Sequence, residues 1–172
     1  MSRPPFASFS VRDVEIVSAQ LGRPARDVIG IPARCVCGAP TVVATRPRLG
    51  SGTPFPTLYY LSHPAATASA SRLEASGIMA AWQAELADDA PLAAAYAAAH
   101  TQYLADRESI FAVPEVEGYS AGGMPTRVKC LHALLGHALA AGRGVNPFGD
   151  RALDAGDWNP EVCACAPDQR GS

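Results

Sequence analysis

Residues 127–150 read RVKCLHALLGHALAAGRGVNPFGD. Wound at about 100 degrees per residue, Val128, Leu131, Leu134, Leu135, Ala138 and Leu139 fall on one side, which predicts a helix over residues 126–141 with its apolar face turned to a core. Cys130 and His137 lie on one flank of that face and His132 on the other. Cys130 and His137 stand two turns apart, about 10 Å along the axis, too far to chelate one ion together. Cys130 and His132 can do so only if the helix begins after them, which the preceding GGMPTRV allows. The NPFGD and GDWNP segments that follow read as turns.

Working outward, Ser10 and Asp13 have the spacing of a capping box at the start of a helix that buries Val14, Val17 and Leu21 and stops at Gly22. Residues 28–34, 41–46 and 57–61 are short runs rich in β-branched and aromatic side chains, separated by Gly and Pro, and predict three antiparallel strands. PRLGSGTPFP at 47–56 carries too much Gly and Pro for a regular element and reads as an exposed loop. Pro64 suits the first position of a helix, with Leu73, Ile78, Met79, Trp82 and Leu86 on either side of Gly77. Pro91 opens a longer helix to about residue 113, on which Tyr96, His100, Tyr103 and Arg107 share one stripe. The expected fold is therefore α+β: a small antiparallel sheet of about three strands packed with about five helices, in one domain over residues 1–165. Residues 166–172 are expected to form a disordered tail.

Composition narrows the function. A chain of 172 residues, 48% hydrophobic, buries roughly two thirds of its unfolded surface and folds without staples. Five cysteines are an odd number and a low density for a disulfide scaffold. The first residues contain no apolar signal region, so a cytoplasmic location is expected. The most apolar stretch, 91–99, is far shorter than a membrane span. A net charge of −2 gives no general attraction to nucleic acid. The basic residues are thirteen arginines and one lysine, Lys129, next to Cys130. A cation there would lower the pKa of the thiol, although one lysine surviving by chance accounts for it equally well.

Seven donors suited to zinc or iron-sulfur fall in short clusters: Cys35 and Cys37, Cys130, His132 and His137, and Cys163 and Cys165. Each pair has a plainer reading, as small buried thiols or satisfied polar groups. A second arrangement uses charge: Gly122 and Gly123 before Arg127 and Lys129 at a helix start, with His100, Tyr103 and Arg107, would form a phosphate or carboxylate pocket. The spacing fits neither a P-loop nor a Cys-x5-Arg phosphatase loop, and an ion pair with a neighbouring carboxylate is the plain alternative for Arg107.

RCVCGAP, PFPTLYYLSHP with SRLEASG, the His100, Tyr103, Arg107 stripe and above all RVKCLHALLGHALAAGRGVNPFGD resemble the domain of unknown function family 501, common in actinobacteria, over about residues 27–150. The resemblance implies a cytoplasmic protein whose gene sits beside septum-formation-initiator-like and exopolyphosphatase-like genes, hence a partner linked to cell division or polyphosphate metabolism. The family pattern has a cysteine where this chain has His63, an exchange that keeps a metal ligand but abolishes a disulfide or a nucleophile. It thereby favours a metal site of Cys35, His63, Cys130 and His132, holding zinc or an iron-sulfur cluster in a structural or redox-sensing role. Cys37, Cys163 and Cys165 have no place in that pattern. The alternative function is a phosphate, polyphosphate or small-molecule binding domain or enzyme built on His100, Tyr103, Arg107, Arg127 and Lys129.

Overall fold

The computed structural model describes residues 2–171. The elements run α1 (Val11–Leu21), β1 (Val28–Arg34), β2 (Pro40–Thr45), β3 (Tyr59–Leu61), α2 (Pro64–Ala75), α3 (Ile78–Asp88), α4 (Ala90–Ile110), α5 (Leu131–Ala141) and α6 (Pro147–Ala155), with single 3-10 turns at Pro114–Val116 and Pro167–Gln169. The architecture is α+β: one antiparallel sheet in the order β1-β2-β3, and helices on both of its faces. Every residue of the central strand β2 is buried. Its period of two divides the faces, so that Val42 and Ala44 enter the main core beneath α5 while Val43 lies with Val17 of α1 on the other side.

Local chemistry explains most boundaries. The capping box of α1 is formed, with Ser10 Oγ accepting from Asp13 N at 3.1 Å and Asp13 Oδ2 from Ser10 N at 2.8 Å, and Gly22 ends the helix in the left-handed region at φ 65°. Asp13 also receives both Nη groups of Arg34 from the end of β1, at 2.6 and 3.1 Å, and Arg34 Nη1 reaches on to the Gly38 carbonyl at 2.9 Å. The guanidinium, first, and the Ser10 groups hold the Asp13 carboxyl down at about 2 against the opposing effect of burial. Gly77, at φ 80°, divides the region after Pro64 into α2 and α3.

Two expectations are corrected. The last predicted helix begins at Leu131 instead of residue 126, because Arg127 N and Lys129 N turn back to the carbonyls of Gly123 and Gly122 and Val128 N donates to Gln83 Oε1. NPFGD is the first turn of α6: Asn146 Oδ1 caps Gly149 N at 3.0 Å, Pro147 takes the first helical position, and Phe148 and Ala152 face inward four residues apart. Of the segment 166–172, the described residues contain the 3-10 turn beside α1, where Arg12 Nη2 donates to the Asp168 carbonyl at 2.6 Å.

Helix α5 is the hub of the core, packing on β3, α2 and α6. Close approach is made by two glycines. A Cβ at Gly136 would stand 2.9 Å from the Tyr59 carbonyl of β3, and one at Gly149 of α6 would overlap the Leu134 carbonyl of α5. Neither obstacle is a flexible side chain, so the backbones themselves would have to separate. Gly149→Ala is accordingly expected to destabilise the protein by about 3 kcal/mol in urea unfolding despite its better helix propensity. Alanine tolerated at that position without loss would contradict the close α5–α6 contact.

Candidate metal centre

The β1–β2 turn is built for close approach. Cys35 N donates to the Ala39 carbonyl and Gly38 N to the Cys35 carbonyl, both at 2.8 Å, with Gly38 at φ 85°. This chain reversal points the side chains of Cys35 and Cys37 to one spot. The segment after α6 comes back to the same turn, and Val36 N donates to the Pro160 carbonyl at 3.1 Å. Cys163 and Cys165 thereby arrive from the far end of the chain, and the ligand atoms of Cys35, Cys37, Cys163 and Cys165 all lie within 4.8 Å of one another. Cys35 and Cys165 are buried, Cys37 and Cys163 half-buried, and all four are free thiols.

Sulfur acceptors are served by main-chain donors. Burial works against ionising Cys37, but the N–H groups of Ala39 and Gly171 and the thiols of Cys163 and Cys165 outweigh it and bring the group down to about 6. Burial pushes the Cys35 and Cys165 thiols up, and for Cys165 the neighbouring Cys37 and Cys35 add to the effect. Thiols this close resist ionising together unless a cation sits among them.

His63 is next to this group. Its Nε2 is 3.1 Å from Cys165 Sγ, while its Nδ1 accepts from Ala66 N at 3.4 Å as the N-cap of α2. An accepting Nδ1 leaves the proton of the neutral ring on Nε2, and burial keeps the ring neutral by lowering its pKa. His63 therefore donates to the sulfur. The ring is held in place by Trp158, centroids 5.3 Å apart.

The four residues favoured from the sequence fall in two places. Cys35 and His63 lie at the cysteine cluster; Cys130 and His132 form another group with Glu74, which Cys35 and His63 do not join. The physical reason is the start of α5, where Cys130 is the N-cap on the α2 side of the sheet and Glu74 of α2 accepts from Leu131 N at 2.7 Å and from the His132 ring at 3.1 Å. Cys37, Cys163 and Cys165 are instead the partners of Cys35. The signal for them was two Cys-x-Cys pairs, one at a Gly turn and one near the end of the chain.

The stripe on α4 grips the protein's own loops. Arg107 is buried and donates to the carbonyls of Pro56 (3.3 Å), Val116 (2.7 Å) and Tyr119. Tyr103 Oη accepts from Leu58 N at 2.6 Å, His100 Nδ1 meets Ser120 Oγ at 2.8 Å, and Tyr96 Oη donates to the Arg127 carbonyl at 2.9 Å. Arg107 is thus spent on main-chain oxygens, and Lys129 makes no side-chain hydrogen bond among the described residues.

The family model described as "Protein of unknown function (DUF501)" matches residues 31–154, from inside β1 to the last turn of α6. The chain belongs to the DUF501 family. No curated protein and no solved structure matches it. The DUF501 match takes in Cys35, Cys37, His63, Cys130 and His132, whereas Cys163 and Cys165 lie beyond it.

His137, the remaining donor from the sequence, is fully buried in the DUF501 core. Its Nδ1 faces Asn146 Nδ2 at 3.1 Å, and its ring stacks on Tyr59 with centroids 5.6 Å apart. Burial lowers its pKa to about 4. The unfolded value is higher, about 6.5, so as the pH falls between the two the unfolded chain takes up a proton that the native state refuses. Stability from this group is intact above the unfolded value and lost by about 3 kcal/mol on reaching pH 4. His137→Gln, which keeps an acceptor for Asn146, should lose about that much less than the wild type between pH 7.5 and 4 in urea titrations. Equal losses in the two proteins would show that His137 is not buried neutral.

Proposed function

We propose that Cys35, Cys37, Cys163 and Cys165 bind one zinc ion in a structural centre that fastens the C-terminal segment to the β1–β2 turn. The supporting observation is the gathering of four thiols within 4.8 Å of one another from stretches more than 120 residues apart. The donor set fits. At a Zn–S distance of about 2.3 Å, tetrahedral sulfurs stand about 3.8 Å apart, and Cys37 Sγ and Cys165 Sγ are 3.5 Å apart. The remaining sulfur pairs lie within 4.8 Å, a spread that small shifts of the half-buried Cys37 and Cys163 would close onto one ion of that bond length. A multi-iron cluster would spread its thiolates over several metal atoms and bridging sulfides.

Bound there, zinc would offset half the charge of four thiolates and cross-link the chain without changing its own oxidation state. The protein supplies the rest. The Ala39 and Gly171 N–H groups and His63 Nε2–H donate to sulfur, Trp158 holds the imidazole, and the Asp13–Arg34–Gly38 chain of hydrogen bonds fixes the turn. Thiol oxidation would release the ion and the C-terminal segment together, which gives the centre a redox-sensitive side.

Elemental analysis of freshly purified, anaerobically handled protein should find one zinc per chain, released by thiol modification. Cys35→Ser and Cys165→Ser should each lose the metal and lower the melting temperature, while Cys130→Ser keeps the metal. Metal-free protein whose melting is unmoved by Cys35→Ser would end the proposal. Colour and iron in place of zinc would replace the structural ion by an electron-carrying one.

A further inference from the structure

The second cluster lies apart from the zinc site proposed above. Glu74, Cys130 and His132 each place a ligand or nucleophile atom within 4.8 Å of the other two, and all three are half-buried. Their positions come from two helix ends. Cys130 is the N-cap of α5, His132 is the second residue of its first turn, and Glu74 stands in the last turn of α2. Glu74 Oε1 accepts from both Leu131 N and His132 Nδ1, so Nδ1 carries a proton and the ring is oriented.

Two hydroxyl or thiol groups flank this imidazole. Ser71 Oγ is 3.1 Å from His132 Nε2, which completes a Ser-His-Glu chain of hydrogen bonds. Ser71 nevertheless sits inside α2, where neighbouring N–H groups are committed to the helix and cannot stabilise an oxyanion. Cys130 is at an open helix end, where the N–H groups of His132 and Ala133 have no acceptor within the helix. A thiolate there meets the positive end of α5 and an imidazole oriented by a carboxylate.

We propose that Cys130, His132 and Glu74 form a reactive-thiolate centre, a site of reversible S-thiolation by low-molecular-weight disulfides. The Cys130 thiolate attacks one sulfur of the disulfide, and a mixed disulfide forms as the incoming S–S bond breaks. The departing thiolate takes its proton from the His132 imidazolium, which Glu74 stabilises. No net oxidant beyond the disulfide is consumed. Accessibility decides the substrate class: the thiol is half-buried, so a small disulfide or a flexible one fits better than a large folded substrate.

The charged groups that reach the thiol are His132 from its own helix and Glu74 from α2. The His132 ring, the largest influence, and the Ala133 N–H favour the thiolate; burial and Glu74 oppose it, and the balance lies below the ordinary thiol value. On the other side of the pair, Cys130 first and Glu74 after it raise the imidazole to about 9 despite burial.

The test is alkylation with iodoacetamide from pH 5.5 to 9.5, read cysteine by cysteine after tryptic digestion. Cleavage after Lys129 puts Cys130 in its own peptide, residues 130–143, apart from the other four cysteines. The expected result is that Cys130 reacts fastest at pH 7, with a rate that flattens below the ordinary thiol pKa of about 8.5. His132→Gln should slow it about tenfold at pH 7, with Glu74→Gln in the same direction. Oxidised glutathione should then form a mixed disulfide at Cys130 in the wild type, reversed by dithiothreitol. A wild-type rate that climbs tenfold per pH unit up to the ordinary value would overturn the proposal whether or not the variants fold. So would protection of Cys130 by added zinc once the four-cysteine centre is full, which would make the group a three-ligand ion site. Because Cys130 takes no part in the proposed zinc centre, either proposal can fail while the other stands.

Discussion

The close contact of α5 with β3 and α6 is the constraint on which the rest of the molecule hangs. Two glycines make it: Gly136 lets the helix lie on the Tyr59 carbonyl, and Gly149 lets α6 lie on the Leu134 carbonyl. Backbones that near leave no room for side-chain adjustment, so the position of α5 is set to within a fraction of an ångström. Its apolar side then fills the core with Leu131, Leu134 and Leu135, and its buried His137 is clamped between Tyr59 and Asn146. The first turn of α5 inherits this precision, and it is there that Cys130 and His132 meet Glu74 of α2.

The opposite end of the sheet is organised by charge. Asp13 caps α1, binds Arg34 at the end of β1 and through it the Gly38 carbonyl, so one carboxylate couples the helix, the strand and the cysteine turn. Its oxygens accept four hydrogen bonds, two from Ser10 and two from Arg34, beside the capping bond that Ser10 Oγ returns to its N–H. Charge-assisted bonds of this kind in a half-buried setting are the stronger class. The result is a turn that holds two sulfurs toward one point before any ligand arrives, which lowers the ordering cost of binding an ion.

How far the sequence could be read depended on whether the deciding interaction was local. The capping box at Ser10 and Asp13, the Gly22 stop and the strand at 28–34 were legible because a few adjacent residues determine them. Asn146-Pro147 carried an equally local helix start but was masked by its turn-like composition. The start of α5 was misplaced because the acceptor for its first N–H, that of Leu131, is Glu74, more than fifty residues away. The cysteine cluster failed for the same reason. Nothing near Cys35 in sequence says whether its neighbours in space lie at 130 or at 163, since that depends on which face of the sheet each chain end reaches. The stripe on α4 was found, yet its purpose was reversed, because the acceptors it meets are main-chain carbonyls of loops at 56 and 116–119.

The boundary of the family match bears on what the two thiol groups are for. Glu74, Cys130 and His132 lie inside residues 31–154, at the contact of α2 with α5. The cysteine cluster straddles the boundary, with one Cys-x-Cys pair inside the match and the other beyond it. A metal bound there as proposed would hold a flanking segment onto a core that has its own packing, which is the work of a clamp and not of a nucleus. His63 joins the two layers: its backbone starts α2, and its ring donates to Cys165 from the flanking segment. Loss of such an ion would free the chain after α6 while leaving α5 seated on β3, and the Glu74, Cys130 and His132 group at the start of α5 would remain formed.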